Sequence, residues 1–348
     1  MSAQKKGRSV WNVVPGLLIS AFFLWWTFRD LHYSTFREMH FVYPRWILVG
    51  AAFLCGGYTL RVYRWWVMLQ SSGRASFGQS GRVLLTSFAA NNVMPFRIGD
   101  FLRIFAYAGD LNTSSSSILS TVILERLLDV ATLLSFLAIT LLTAPPGGSS
   151  IIVFNRTVDV HFIAPPLTIV TLLTLLVLFA GGFVQRAVRG GMRRLPSHKL
   201  IDRLDNAMNM AFEAVTMMPL RAKLLVLASS VAAWLCEGMI FVSAAKLLDL
   251  SSGPRGPWLA LSLSNLSYLF PSSPGGLGTF ELCSKVGMTS QGARPDVAAL
   301  FGLLVHMVVL ITITAAGGIA FIAHRARTGS HKPLLQEIED LPAELPQN

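Results

Sequence analysis

The stretch that decides the fold is NNVMPFRIGD, residues 91–100, and a related stretch, FPSSPGGLGTFE, occupies residues 270–281. Each contains a proline, a glycine four positions later and a carboxylate shortly after it: Pro95, Gly99 and Asp100 in the first, and Pro274, Gly278 and Glu281 in the second. Proline and glycine interrupt helices. The two stretches therefore predict a break in each of two fairly apolar segments, 83–108 and 257–288.

The composition around these breaks is that of a membrane protein. Charged residues make up 14% of the 348 residues and the mean hydropathy is +0.55, whereas soluble proteins carry about 25% charged residues. Six apolar runs approach or exceed the roughly 20 residues needed to cross a bilayer. They are residues 10–28, 46–69, 117–143, 162–184, 224–248 and 297–323. The sequence thus predicts an all-α polytopic membrane protein with about six transmembrane helices.

Several other functions find no support in the sequence. The net charge of +11 comes from basic residues scattered through apolar segments and short loops, which is not the compact basic region that binds nucleic acid. Cys55, Cys236 and Cys283 lie in apolar segments without metal-ligand spacing. The P-loop, G-x-S-x-G, H-E-x-x-H and dinucleotide-binding motifs are absent from the sequence. We therefore expect no nucleic-acid partner, no metal and no cofactor, and we favour a function other than catalysis.

The distribution of basic residues predicts the orientation, because cytoplasmic loops retain Lys and Arg. Basic residues collect before the first span, after the second, in the 186–222 connection and after the last. They are Lys5, Lys6 and Arg8; Arg61, Arg64, Arg74 and Arg82; the run from Arg186 to Lys223; and Arg325, Arg327 and Lys332. This pattern places both termini in the cytoplasm, with the protein in the inner (plasma) membrane. It requires six crossings and two re-entrant hairpins, 83–108 from the cytoplasmic side and 257–288 from outside.

The chain then divides into two halves of the same order and opposite orientation, which is typical of an inverted-topology repeat. Residues 1–143 form the first half, 144–162 an external linker and 163–323 the second half with its cytoplasmic connection 186–222. Residues 324–348 are predicted to be a disordered cytoplasmic tail. In such repeats, segments broken by Gly and Pro mark the substrate site near the bilayer midplane.

Charged residues within the predicted membrane segments form the first candidate site. A charge at the bilayer centre costs on the order of 2.5–3.5 kcal/mol and therefore needs a partner. Glu125, Arg126 and Asp129 lie within the third span, and Arg97 and Arg103 of the first hairpin are their expected partners. Guanidinium groups suit phosphate or carboxylate binding. The set could hold an anionic lipid headgroup, or it could be an internal network of salt bridges.

The second hairpin offers another candidate site. A helix that restarts after Pro274–Gly278 can hold an anion on its free N–H groups, although Gly275, Gly276 and Gly278 could equally serve close packing. Glu237 and Glu281 are intramembrane acids that could couple transport to protons or could be buried packing residues. Lys285, one turn after Glu281, is the only obvious basic neighbour. We interpret His306, in the last span, as a hydrogen-bonded core residue.

Three motifs in order resemble the membrane domain of the lysylphosphatidylglycerol synthase/flippase family. They are N-x-x-x-P-x-R-x-G-D-x-x-R, E-R-x-x-D and P-G-G-x-G-x-x-E. The resemblance implies a membrane unit that translocates a phospholipid or another lipid-linked anion. Substrate-binding residues are then expected among Asn91, Pro95, Arg97, Gly99, Asp100, Arg103, Glu125, Arg126, Asp129, Pro274, Gly275, Gly276, Gly278 and Glu281.

Two departures qualify the resemblance. The acid after Gly99 is Asp100, where Glu is expected, and no soluble aminoacyl-transferase domain follows the membrane part. We therefore expect a flippase-like transporter that does not itself aminoacylate lipid. Two alternatives stay open. One is an intramembrane polyprenyl-phosphate glycosyltransferase with Asp30, Asp100 or Asp129 as its base; the other is an accessory protein that retains an enzyme of glycolipid or phospholipid biosynthesis.

Overall fold

The structure is a computed structural model, and it describes residues 14–29, 41–71, 73–94, 97–143, 150–153, 156–192, 212, 215–250, 252–269 and 274–328. Most of these residues are helical. In chain order the helices are α1 (Val14–Phe28), α2 (Arg45–Leu69), α3 (Phe77–Val93), α4 (Ile98–Phe105), α5 (Ser115–Leu142), α6 (Val160–Met192), α7 (Leu220–Leu247), α8 (Gly256–Leu266), α9 (Thr279–Thr289) and α10 (Pro295–Thr328). Two short 3-10 turns, Ser267–Leu269 and Pro274–Gly276, lie between α8 and α9.

Four of these helices are long and apolar enough to cross a membrane. They are α2, α6 over Pro165–Gly191, α7, and α10 over Pro295–Ala326, and each coincides with a predicted span. The other two predicted spans also fall in helices. However, α1 has 15 residues, and α5, with 28, contains three charged side chains. The length and composition of four helices therefore support an integral membrane protein. The predicted number of six transmembrane helices stays a prediction.

The outer faces of the long helices are apolar. Leu48 on α2 is 76% exposed, and Ile319 and Ile322 on α10 are each 67% exposed. Large contiguous apolar surface is rare on proteins surrounded by water. Such side chains are expected where lipid covers the helix.

The first broken segment folds as two helices that pack together. The helix α3 begins with a capping box, in which Ser76 and Gln79 satisfy each other's backbone N–H groups. It ends at Val93, with Met94 as its C-cap, and α4 begins after Arg97, which has the left-handed φ of 52°. The helix α4 returns so close to α3 that a Cβ on Gly99 would overlap the Ser87 carbonyl. The break was predicted, but α3 starts before the predicted boundary at residue 83.

The second broken segment also folds as two helices that pack together. The helices α8 and α9 are separated by the two 3-10 turns and pack against each other. A Cβ on Gly287 of α9 would overlap the backbone of Ala260 of α8, so only glycine permits this approach. The pair extends from Gly256 to Thr289, close to the predicted 257–288.

The described residues fold into two compact units, each built from three stretches of the chain. The first takes its described residues from 1–61, 127–175 and 228–311, and the second from 62–126, 176–227 and 312–348. The first unit has an apolar core that includes Trp234, Phe241, Phe280 and Phe301. In the second unit, the fully buried side chains include Trp65, Leu84 and Leu124.

The predicted connections differ from the observed ones in three places. The predicted linker contains an antiparallel pair of strands, β1 (Ser150–Val153) and β2 (Arg156–Asp159), in which Ser150 lies opposite Asp159. The helix α6 continues to Met192, into the predicted cytoplasmic connection. The helix α10 continues to Thr328, beyond the predicted end of the last span. Of the predicted connection, residues 212 and 215–222 are also described, and α7 begins within it at Leu220. Most of the predicted tail lies outside the described residues.

Candidate functional site

Five charged residues of α2, α4 and α5 meet in the second unit. We call them the arginine cluster: Arg64, Asp100, Arg103, Glu125 and Arg126. The side chains of Arg64, Arg103 and Glu125 are at most 1% exposed, whereas that of Arg126 is 33% exposed. Because buried charges are stable only when they are paired, this geometry explains how the helices tolerate them.

Arg103 occupies the centre of the cluster. Its Nη1 donates to Glu125 Oε2 at 3.0 Å, and its Nη2 lies 3.5 Å from Asp100 Oδ1. The guanidinium carbon also lies 4.8 Å from the centroid of the Trp65 ring, whose Nε1 donates to Thr121 Oγ1 at 3.0 Å. These contacts fix the position and the plane of the guanidinium group.

The two carboxylates of the cluster each face more than one cation. Glu125 Oε1 lies 3.5 Å from Arg64 Nη2 and 3.6 Å from Arg126 Nη2. Asp100 Oδ1 lies 3.4 Å from Arg126 Nη2. With three arginines and two carboxylates, the cluster has a formal excess of one positive charge.

Asp100 also accepts hydrogen bonds from neutral groups of α3. Asn91 Nδ2 lies 3.2 Å from Asp100 Oδ1, and Ser87 Oγ lies 3.5 Å from it. Hydrogen-bond donors and nearby cations both favour the charged form of a carboxyl group. Because Asp100 has both, with Arg103 and Arg126 as the cations, it is held in its ionised form.

The structure brings together most of the residues that were predicted for the first site. Asn91, Asp100, Arg103, Glu125 and Arg126 are in contact, and the predicted Arg103–Glu125 pairing is present. The remaining predicted residues have other places. Gly99 packs on Ser87, Arg97 is exposed at the start of α4, and Pro95 lies outside the described residues, as does Asp30.

Sequence reasoning missed Arg64, and it misplaced Arg61 in the same way. Both were counted with the loop that follows the second span, but both lie inside α2 and are buried. They therefore do not contribute to the charge count of that loop. A signal was present, because both fall within the apolar run 46–69, where a charge requires a partner.

A second ion pair joins α2 and α7 in the first unit. Arg61 Nη1 donates to Glu237 Oε2 at 3.0 Å, so Glu237 has a basic partner that the sequence did not suggest. The Arg61 guanidinium carbon lies 5.0 Å from the Tyr58 ring centroid and 4.8 Å from that of Trp234. Trp234 Nε1 in turn donates to Asp129 Oδ1 at 3.0 Å. Asp129 thus contacts this network, whereas it was grouped with Glu125 in the prediction.

The acid of the second hairpin pairs with the histidine of the last helix. Glu281 Oε1 lies 2.7 Å from His306 Nδ1. Lys285, the predicted neighbour, instead donates from Nζ to the Thr27 carbonyl oxygen at 2.8 Å. Sequence reasoning interpreted His306 as a hydrogen-bonded core residue, and it is buried and hydrogen-bonded. The identity of its partner was missed.

The glycine-rich loop, residues 274–278, is shaped by close contacts. Gly275, Gly276 and Gly278 have positive φ, and a Cβ on Gly276 would overlap the Tyr268 ring. The Gly278 N–H donates to Glu281 Oε2 at 2.7 Å. This N–H, which the sequence offered to an external anion, is therefore occupied by the protein's own carboxylate. Of the two open interpretations of these glycines, the contacts of Gly276 favour close packing.

These features define an integral membrane protein that keeps ion pairs inside apolar helices. Within the described ranges, no group of three His, Cys, Asp or Glu side chains is placed to hold a metal ion, and the three cysteines are free thiols.

The chain belongs to the lysylphosphatidylglycerol synthase transmembrane family. The family model described as "Lysylphosphatidylglycerol synthase TM region" matches residues 13–317. This match confirms the resemblance carried by the three motifs and makes the protein a member of a lipid-related membrane family. A search of curated proteins found no match, and neither did a search of solved structures.

Proposed function

We propose that the protein translocates an anionic or phosphate-bearing lipid between the leaflets of the plasma membrane. The observation that carries this proposal is the partial exposure of Arg126 in a cluster whose other two arginines are buried. Arg64, Arg103 and Arg126 face two carboxylates, and Arg126 is the one arginine of the cluster with a third of its side chain exposed. Guanidinium groups bind phosphate oxygens in pairs, so the exposed part of Arg126 offers donors to the phosphate of a headgroup.

The lengths of the short helices support the topology that such transport requires. We propose six spans, with α1 and α5 added to the four apolar ones, and two re-entrant hairpins formed by α3–α4 and α8–α9. The helices α8 and α9 have 11 residues each, about 16 Å, which is half the thickness of the hydrocarbon core. A pair of such helices can enter and leave on the same side. The two hairpins fit an inverted-topology repeat with both termini in the cytoplasm.

The glycosyltransferase alternative is less well supported by the geometry. It requires a carboxylate that accepts a proton, but Asp100 is stabilised as an anion by two arginines and Asn91. Asp129 accepts a hydrogen bond from an indole N–H. We therefore propose the lipid and the bilayer as the partners of this chain, and transport in place of catalysis.

A leaflet-exchange assay tests the proposal. The purified protein is placed in liposomes with acyl-labelled phosphatidylglycerol, a labelled polyprenyl phosphate or, as the zwitterionic control, labelled phosphatidylcholine. The key variant is Arg126→Gln. The matched control is Arg294→Gln, because Arg294 has a 66% exposed side chain and pairs with Asp296.

We expect the wild type to accelerate exchange of at least one of the two anionic lipids over phosphatidylcholine. Arg126→Gln should slow that exchange by about tenfold or more, since a hydrogen bond to a charged group contributes about 1.5–3 kcal/mol. Arg294→Gln should behave as the wild type. Equal exchange of all three lipids, or equal rates for the two variants, would contradict the proposal.

A further inference from the structure

The contact between Glu281 and His306 requires a shared proton. His306 Nε2 lies 2.9 Å from the Gly275 carbonyl oxygen. A carbonyl oxygen only accepts, so Nε2 carries a hydrogen atom. His306 Nδ1 lies 2.7 Å from Glu281 Oε1, and two acceptors do not approach this closely. One further proton must therefore lie between them, on the imidazole or on the carboxyl group.

We propose that the Glu281–His306 pair is a proton-binding site that couples proton movement to lipid movement. The coupling half of this inference rests on the proposed transport function, whereas proton binding by the pair does not. Its bound form holds two protons, one on Nε2 and one shared between Nδ1 and Oε1. Release transfers the shared proton to water and leaves a neutral imidazole facing a carboxylate.

Besides contacting each other, Glu281 and His306 each form a hydrogen bond with the backbone of the loop 274–278. Glu281 Oε2 accepts from the Gly278 N–H at 2.7 Å, and His306 Nε2 donates to the Gly275 carbonyl. After the proton is released, the neutral imidazole has a single N–H, which can satisfy either Glu281 Oε1 or the Gly275 carbonyl oxygen but not both. The protonation state of the pair therefore determines whether both ends of this loop are fastened to His306.

Among the residues that the structure describes, few other groups near the pair could supply or fix this charge. The Tyr268 hydroxyl lies 3.3 Å from His306 Nε2 and donates to Gly275 O at 3.3 Å. On α9, Lys285 bonds to the Thr27 carbonyl of α1, and Cys283 is a free thiol. On α7, the acid Glu237 is paired with Arg61.

The pair differs from the Arg61–Glu237 pair of the same unit in the kind of base that it uses. In the Arg61–Glu237 pair the guanidinium keeps its charge at every accessible pH. An imidazole titrates within the physiological range. His306 is 2% exposed and stacks on Phe280, with ring centroids 4.2 Å apart and an interplanar angle of 25°. The ring is therefore held in place by Phe280.

Two substitutions distinguish the effect of the bound proton from the effect of the Glu281–His306 contact itself. Glu281→Gln keeps both hydrogen bonds, because the amide oxygen accepts from Gly278 and the amide N–H donates to His306 Nδ1. Its hydrogen atom cannot leave, so this variant imitates the proton-bound form at every pH. His306→Phe keeps an aromatic ring against Phe280 but removes both polar contacts, so it is the reference in which the loop has neither contact.

Hydrogen–deuterium exchange of the purified protein reports on the loop without any lipid transport. Exchange of a peptide covering residues 274–282 is measured between about pH 5 and about pH 9 and corrected for the intrinsic pH dependence of amide exchange. The Gln79 amide, which bonds to Ser76 Oγ at 3.2 Å, serves as the internal control.

We expect protection of this peptide in the wild type to fall by about tenfold or more as the pH rises. Protection should stay high at all pH values in Glu281→Gln and low at all pH values in His306→Phe. A wild type that matches Glu281→Gln over the whole range would overturn the proton site. So would a Glu281→Gln variant whose loop is as unprotected as that of His306→Phe.

Coupling is tested separately in liposomes with and without a pH gradient. We expect the gradient to change the rate of lipid exchange at least severalfold in the wild type and to have no effect in Glu281→Gln. If wild-type exchange proceeds but ignores the gradient, the coupling is wrong. If the loop titrates but no lipid is exchanged, the transport proposal and the coupling fail together, while the proton site stands.

Discussion

Replacing Glu125 with glutamine is expected to destabilise the protein by about 3–5 kcal/mol, the loss typical of removing one partner from a buried ion pair. The shape of the side chain is nearly unchanged, so the effect is electrostatic. Arg103 loses its 3.0 Å partner, and Arg64 and Arg126 each lose a carboxylate oxygen within 3.6 Å. Asp100 is then the one carboxylate left in the arginine cluster, which places the expected loss toward the upper end of that range.

Adding Arg103→Met to Glu125→Gln should recover part of this loss. Methionine fills similar space beside Trp65, and the double variant again has an excess of one positive charge. We expect the double variant to be more stable than the sum of the two single changes by about 1–3 kcal/mol. The assay is thermal unfolding in one detergent, followed by tryptophan fluorescence. Losses that add to within about 0.5 kcal/mol would refute the reasoning that Arg103 and Glu125 form one buried unit.

Two further predictions concern single side chains, each measured by thermal unfolding and by the fraction of monodisperse protein. Gly99→Ala should destabilise the protein by about 1–3 kcal/mol, because its Cβ would overlap the Ser87 carbonyl. The matched control is Gly78→Ala, whose Cβ meets nothing within 4 Å. Equal stabilities of the two variants would contradict the packing of α3 on α4. Arg61→Leu should cost about 3–5 kcal/mol because it leaves Glu237 buried without its 3.0 Å partner. A second change, Glu237→Leu, should restore most of that loss, and no recovery would mean that the pair is not the cause.

The breaks in the two hairpins were predictable because they depend on local chemistry. Proline restricts the backbone and glycine makes it more flexible wherever they occur. The segments around Gly99 and Gly278 could therefore be assigned as broken helices from the sequence alone. The Arg103–Glu125 pairing was also predictable, since a charge in an apolar segment needs a partner. The boundaries were less predictable, because α3 starts at Phe77 with a capping box that the apolar pattern does not reveal.

The partners of Arg61 and His306 were not predictable in the same way. Arg61 and Glu237 are separated by 176 positions, and no local spacing says which helices pack together. The charge count concealed the pairing further, because it assigned Arg61 to a loop. Similarly, Lys285 is one turn from Glu281 in sequence, yet its amine points to the Thr27 carbonyl. Nearness along a helix identified the wrong base because tertiary contacts decided the pairing.

The composition of the arginine cluster itself argues against a purely structural role. Two carboxylates need only two arginines, and replacing buried ion pairs with apolar residues is often neutral or stabilising. The third arginine brings a further charge into an apolar segment, where charges oppose folding. That charge is carried where Arg126 is 33% exposed, so an incoming anion could reach it. A site that binds an anionic headgroup and then releases it needs an arginine that the headgroup can reach, whereas a site that only holds helices together does not.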